Sequence, residues 1–196
     1  MIRVVVVDDH PALRAGLQTV LQSEPGIVYA GQSSGEEESL WPMLHHVEPS
    51  VVLLDYHLPR GDGLELCYRI KQQVPAPAVI MFSAYAGPDL LVPARLAKAD
   101  ALLGKGVGAR ELFETIRRAD SGERQLAEPS AAALQEAYAR IPEEDRALVS
   151  LLLDGASDTE AARALGREPR DVRRAVDRTL SALRLIVPAV PAGSFP

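Results

Sequence analysis

The chain of 196 residues has one cysteine, Cys67, one tryptophan, Trp41, and no apolar run long enough to cross a bilayer. A lone cysteine excludes a disulfide framework and any multi-cysteine metal site, which leaves Cys67 as a small apolar filler inside an amphipathic helix. The opening run Ile2–Val7 is too short to span, lacks a cleavage-site pattern and leads straight into Asp8-Asp9. A cytoplasmic chain with no membrane association is therefore expected. Basic charge is also in deficit: 21 Lys and Arg stand against 27 Asp and Glu, for a formal net charge of -6. That balance argues against non-specific nucleic-acid binding by the whole molecule, although it can conceal a local basic face. The length allows one large domain or two small ones, each with its own core.

What is present in the first half is a series of short apolar runs that end in polar residues. Val51-Val52-Leu53-Leu54 stops at Asp55 and is followed by Pro59, Gly61 and Gly63. Such a run, bounded by breakers, predicts a strand buried on both faces of a parallel sheet. Ile2–Val7 ends the same way at Asp8-Asp9, 78–82 ends at Ser83, and 101–103 leads to Gly104-Lys105-Gly106; a four-residue strand over 27–30 completes a set of five. Between them lie helical patterns: one opened by His10-Pro11 and closing near Ser23, one over 36–46 interrupted by Pro42, and others over 64–73, 89–97 and 109–120. Strand and helix in alternation predict an α/β fold, a doubly wound five-stranded parallel sheet with flavodoxin-like order.

Parallel strands share a direction, so their exits meet at one rim. Asp8, Asp9, Asp55, Ser83 and Lys105 are thereby gathered from distant parts of the chain. Carboxylates crowded in one crevice repel unless a cation lies among them, and oxygen ligands with room for water suit Mg²⁺. A hydroxyl and an ammonium beside that cation suit a phosphoryl group, whose oxygens each need a donor or a positive charge. Asp55 is then the nucleophile that becomes an aspartyl phosphate.

These residues resemble the receiver domain of bacterial two-component response regulators: Asp8-Asp9 the acidic pair, Asp55 the phospho-acceptor, Ser83 the switch hydroxyl and Lys105 the conserved-type lysine. The resemblance implies Mg²⁺ held by Asp9, Asp55 and the backbone carbonyl of His57, with Asp8 acting mainly through water. It also implies a sensor histidine kinase as phosphoryl donor, a homodimer formed through the receiver, and no enzymatic turnover. One position departs: Leu102 stands where the family's aromatic switch residue is usual, and Tyr85, just after Ser83, is the nearest ring in sequence.

The second half has a different rhythm. An alanine-rich helix capped near Ser130 follows a tether; Pro142 begins a helix with Glu143, Glu144 and Asp145 in its first turn; Ser157 or Asp158 caps a short helix ending before Gly166; and Pro169 opens a longer one carrying Val172, Val176, Leu180 and Leu183 to about residue 185. Short helix, glycine turn and longer helix form a helix-turn-helix. The stretch 155–183 resembles the LuxR-type helix-turn-helix of NarL/FixJ-class regulators, which implies a recognition helix from Pro169 in a DNA major groove, with Arg170, Arg173, Arg174 and Arg178 as contacts. From Arg163 to Arg184 seven Arg face three acids, a local net of about +4.

Three features depart from that family: Glu168 and Asp171 bring carboxylates to the start of the recognition helix, Arg167 replaces a usually apolar residue, and the Pro-rich stretch after 187 leaves no room for a fourth helix. The expected organisation is a receiver over 1–122, a linker with helix over 123–141, a small all-α helix-turn-helix domain over 142–187 and a tail over 188–196. The expected function is a transcriptional response regulator. The alternative is an atypical regulator whose output domain binds a protein partner or works without phosphorylation.

Overall fold

The computed structural model describes residues 1–59 and 61–184. The tail expected over 188–196, and the last turn expected to reach residue 185, lie outside the described residues. The chain begins with β1 (Ile2–Val7), α1 (Pro11–Gln22), β2 (Ile27–Ser33), α2 (Glu37–Val47), β3 (Val51–Leu54), α3 (Gly63–Lys71), β4 (Ala78–Ser83), α4 (Leu91–Leu96), β5 (Ala101–Gly104) and α5 (Ala109–Asp120). The five strands form one parallel sheet in the order β2-β1-β3-β4-β5, with the crossover at β1 and β3. Side chains alternate across each strand. Val5, Val7, Val52 and Leu54 enter one core, beneath α2, α3 and α4, while Val4, Val6, Val51 and Leu53 enter the other, beneath α1 and α5. Each of these fully buried side chains contributes on the order of 1.5–3 kcal/mol.

Local departures from the expected elements have local causes. β2 runs three residues past the expected 27–30, because a register shift opposite Val4 and Val5 keeps its far end paired with β1 through Ser33. Helix α2 passes through Pro42, whose ring is exposed on the solvent side. The helix expected over 89–97 is a 3₁₀ turn, Pro88–Leu90, followed by six residues of α4; Pro93 is tolerated in its first turn, where a backbone N–H has no helical acceptor.

Four helices follow: α6 (Ala131–Arg140), α7 (Glu143–Leu153), α8 (Asp158–Leu165) and α9 (Pro169–Leu183). Ser130 caps α6 by accepting from Ala133 N. A capping box starts α8, with Ser157 Oγ accepting from Glu160 N and Glu160 Oε2 accepting from Ser157 N. Gly166 ends that helix at φ 61°, a left-handed conformation that a side chain would strain. Buried Val172, Ala175, Val176, Thr179, Leu180 and Leu183 form the inner face of α9. Arg167, which stands where an apolar residue is usual, reaches Asp145 at 3.3 Å, and Arg178 grips the same buried carboxylate through three bonds of 2.8, 2.9 and 3.2 Å.

The two halves are not separate beads. The core beneath α3 and α4 continues into Leu148, Val149, Val172, Val176 and Leu180 of the helical half. At the seam, Asp158 accepts hydrogen bonds from Tyr68 Oη (2.6 Å), Gln72 Nε2 (2.8 Å) and Lys98 Nζ (2.7 Å). Burial, then the Asp158 carboxylate, pushes the Tyr68 phenol well above its ordinary range. Further along α9, Ser181 donates to Glu65, and Arg184 donates to Asp62 at 2.8 Å.

Candidate phosphoryl-acceptor site

The strand exits converge because the ladder continues one residue past each strand. Asp8 N donates to Ser33 O (3.1 Å), Asp55 N to Val7 O (2.8 Å) and Lys105 N to Ser83 O (2.9 Å). The side chains of Asp8 and Asp55 are 2% exposed, and Lys105 bridges them, its Nζ 2.7 Å from Asp8 Oδ2 and 2.8 Å from Asp55 Oδ2. Ser83 is fully buried beside them, and its hydroxyl accepts from Tyr85 N at 3.0 Å. Neither Gly104 nor Gly106 takes a left-handed conformation, so the lysine loop is an ordinary turn held by two ion pairs.

The loop after Asp55 is fixed from the other side. Asp62 caps α3 by accepting from Leu64 N (2.9 Å), and Gly63 N donates to Tyr56 O (3.1 Å). A Cβ on Gly63 would lie 2.1 Å from the Asp55 carbonyl oxygen, so the approach requires glycine. His57 follows in a two-residue antiparallel ladder, His57–Leu58 against Gly61–Asp62, and its backbone N–H donates toward Asp55, which works to lower that carboxyl's pKa. Rings continue outward from there: Tyr56 and His57 meet edge-on at 4.5 Å between centroids, and His57 and Tyr85 at 5.6 Å. Leu102 is only partly buried, against the first core.

The electrostatics are unbalanced. Burial raises the Asp55 pKa above the ordinary carboxylate range; Lys105 opposes that rise and Asp8 adds to it. For Lys105, burial works to depress the pKa, but contact with Asp55 and Asp8 outweighs it and holds the ammonium above its usual value. Asp8 Oδ2, Asp9 Oδ1 and Asp55 Oδ2 are shielded from solvent with no hydrogen bond of ordinary geometry. Among the described residues, the contacts that reach them are ion pairs, from Lys105 to the first and third and from His10 Nδ1 to the second. One ammonium among three carboxylates, with lone pairs unused, is a donor set that fits a hard divalent cation. Among the described residues, Asp8, Asp9, His10 and Asp55 each offer a ligand atom, all within 4.8 Å of one another. Sequence reasoning treated His10 only as a helix opener, and the signal it passed over was its place directly after two acids.

The arginines of α9 are divided among different surroundings. Arg170, Arg173 and Arg174 are exposed, the last of them 3.9 Å from Asp171. Arg178 is committed to Asp145, and Arg173 lines a cleft of about 370 Å³ between α9 and the receiver with Trp41, His45, Arg69, Gln72 and Gln73. No described helix is long and apolar enough to cross a membrane.

Comparison with known proteins agrees with this geometry. The DNA-binding transcriptional activator DevR/DosR of Mycobacterium tuberculosis is 26% identical over 193 residues, covering 93% of this chain and 88% of that protein. The response regulator UvrY of Escherichia coli is 28% identical over 94% of this chain and 89% of its own length. The solved structure of the Salmonella typhimurium response regulator RcsB shares the fold, with a TM-score of 0.58 at 20% identity over 93% of this chain and 91% of that one. The response regulator receiver domain family matches residues 4–117, the part of the chain that builds the acidic rim. The chain belongs to that family, as a response regulator of the NarL/LuxR type.

Proposed function

We propose that Asp55 accepts a phosphoryl group from the phosphohistidine of a sensor kinase, and that the modification frees the helix-turn-helix to bind DNA. The observation that carries this reading is the single ammonium of Lys105 shared between Asp8 and Asp55 beside the buried Ser83 hydroxyl. In the transfer, an Asp55 carboxylate oxygen forms a bond to phosphorus as the P–N bond to the donor imidazole breaks, and the imidazole leaves with the electron pair and takes up a proton. Lys105 and Ser83 then receive the new phosphoryl oxygens, which moves the Lys105 ammonium off Asp8. Mg²⁺ would be held by Asp9, Asp55 and the His57 carbonyl, with Asp8 through water, and would supply positive charge for the phosphoryl oxygens.

The route to the output half runs through the loop after Asp55. Gly63 touches the Asp55 carbonyl, and the adjacent Asp62 holds Arg184 at the end of α9. With α9 docked, Arg173 lies exposed at the edge of a cleft lined by Trp41, Arg69 and Gln72 of the receiver, so that DNA approaching it would meet the receiver surface. Phosphorylation that moves this loop weakens the Asp62–Arg184 pair and favours release, after which Arg170, Arg173, Arg174 and Arg178 meet DNA and two copies pair through their receivers. Solved structures of RcsB include dimers bound to DNA.

The test is a mobility-shift titration of the full chain at two salt concentrations, with and without beryllofluoride and Mg²⁺, alongside elution volume. Retarded DNA only in the treated sample, with a steep salt dependence, is expected. No shift under either condition overturns DNA binding and assigns the output half to a protein partner.

A further inference from the structure

The acidic rim contains a residue that the phosphoryl chemistry above does not use. His10 is the residue just before α1, extended at φ -85° and ψ 107°, and makes no side-chain cap to the helix that Pro11 begins. Its backbone N–H donates to Asp8 Oδ1 at 2.7 Å, which closes a tight turn and lays the ring against the acids. Nδ1 lies 3.2 Å from Asp8 Oδ1 and 2.5 Å from Asp9 Oδ1. The side chain is 67% exposed, so its open side leaves room for water in any coordination sphere.

We propose that His10 gives this pocket a nitrogen ligand, so that the site takes borderline divalent ions such as Mn²⁺, Co²⁺ or Zn²⁺ in a mixed nitrogen and oxygen sphere. The inference rests on the reading that the rim holds a divalent cation, and it concerns which cation. Two observations meet here: shielded oxygens of Asp8, Asp9 and Asp55 that have one ammonium among them, and an imidazole nitrogen within the same 4.8 Å cluster. Oxygen ligands with bound water favour Mg²⁺, whereas an imidazole favours the later first-row ions. A cation drawing on Asp9 and His10 together also fixes the turn that opens α1, so loading the pocket stiffens the start of that helix.

The test is pulsed EPR of Mn²⁺ bound to the full chain, in the wild type and in His10→Gln, His57→Gln and Asp9→Asn. Nitrogen-14 modulation in the wild type and in His57→Gln, lost in His10→Gln, is the expected pattern. In parallel, His10→Gln should weaken Zn²⁺ about tenfold or more in a competition titration and leave Mg²⁺ nearly unchanged. Bound Mn²⁺ with no nitrogen signal, or a signal that survives His10→Gln, overturns the ligand assignment and leaves the acidic pocket intact. No Mn²⁺ binding by the wild type, as in Asp9→Asn, overturns both.

Discussion

Two of the places where the molecule buries carboxylates surround them in opposite ways. Asp145 in α7, with no exposed surface, has two guanidiniums, from Arg167 and Arg178, for one negative charge. Asp8 and Asp55 at the sheet rim share one ammonium, with Asp9 alongside. The first arrangement is saturated and ties α7 to α9 and to the turn before it. The second is short of positive charge, a deficit that the cation and phosphoryl group of the proposed function would fill. Net charge around a buried acid therefore separates a structural role from a reactive one.

The largest expected effect comes from breaking the saturated side. Asp145→Ala leaves two arginines without their shared partner and should destabilise the helical half by about 3 kcal/mol, the low end for a broken buried pair, because both guanidiniums retain access to water. Urea denaturation followed by circular dichroism measures it, and a loss under 1 kcal/mol would erase the contrast.

Loading the unsaturated side should do the reverse. Divalent metal at about a hundredfold above its dissociation constant should stabilise the protein by about 2.7 kcal/mol, and Asp9→Asn should abolish the gain. A metal-independent thermal midpoint would show that the rim is already satisfied.

Neutralising that rim should stabilise the metal-free protein by about 1 kcal/mol near pH 7 in Asp55→Asn, the usual gain when a strained functional group is relaxed. The sign with pH follows from the raised pKa of Asp55. A folded value above the unfolded one contributes stability that is fully present below the ordinary carboxylate range near pH 4 and is lost as pH rises through the folded value. The advantage of Asp55→Asn should thus grow from acid to neutral pH, and a gap that is flat or shrinks would contradict the burial argument.

The smallest effect is expected at Arg178→Ala. This guanidinium is half exposed and Asp145 keeps Arg167, so about 1 kcal/mol should be lost. A loss equal to that of Asp145→Ala would mean that Arg167 contributes nothing.

The sequence made the rim legible because its signals are local: an apolar run of β-branched residues, then a polar residue, repeated along a half whose topology forces the exits together. Asp8, Asp9, Asp55, Ser83 and Lys105 all meet where the parallel-sheet argument puts them. The helix starts at Ser130, Ser157 and Pro169 were readable for the same reason, since capping chemistry spans only three residues. Long-range pairs were not. Asp145 looked like one of three acids suiting a helix N-terminus, and nothing nearby marks it as the partner of Arg167 and Arg178, 22 and 33 residues away. Nor does any spacing announce that Tyr68, Gln72 and Lys98 converge on Asp158, because that meeting depends on how two already folded surfaces dock.

The Asp158 junction has a valence of three on one bank and one on the other. Substituting any of Tyr68, Gln72 or Lys98 leaves two donors in place, while substituting Asp158 unties all of them together. Inheritance can therefore experiment with the receiver bank of this seam at little risk. On the helix-turn-helix bank one codon change at Asp158 removes all three of these bonds together, while Arg184–Asp62 and Ser181–Glu65 remain as separate ties.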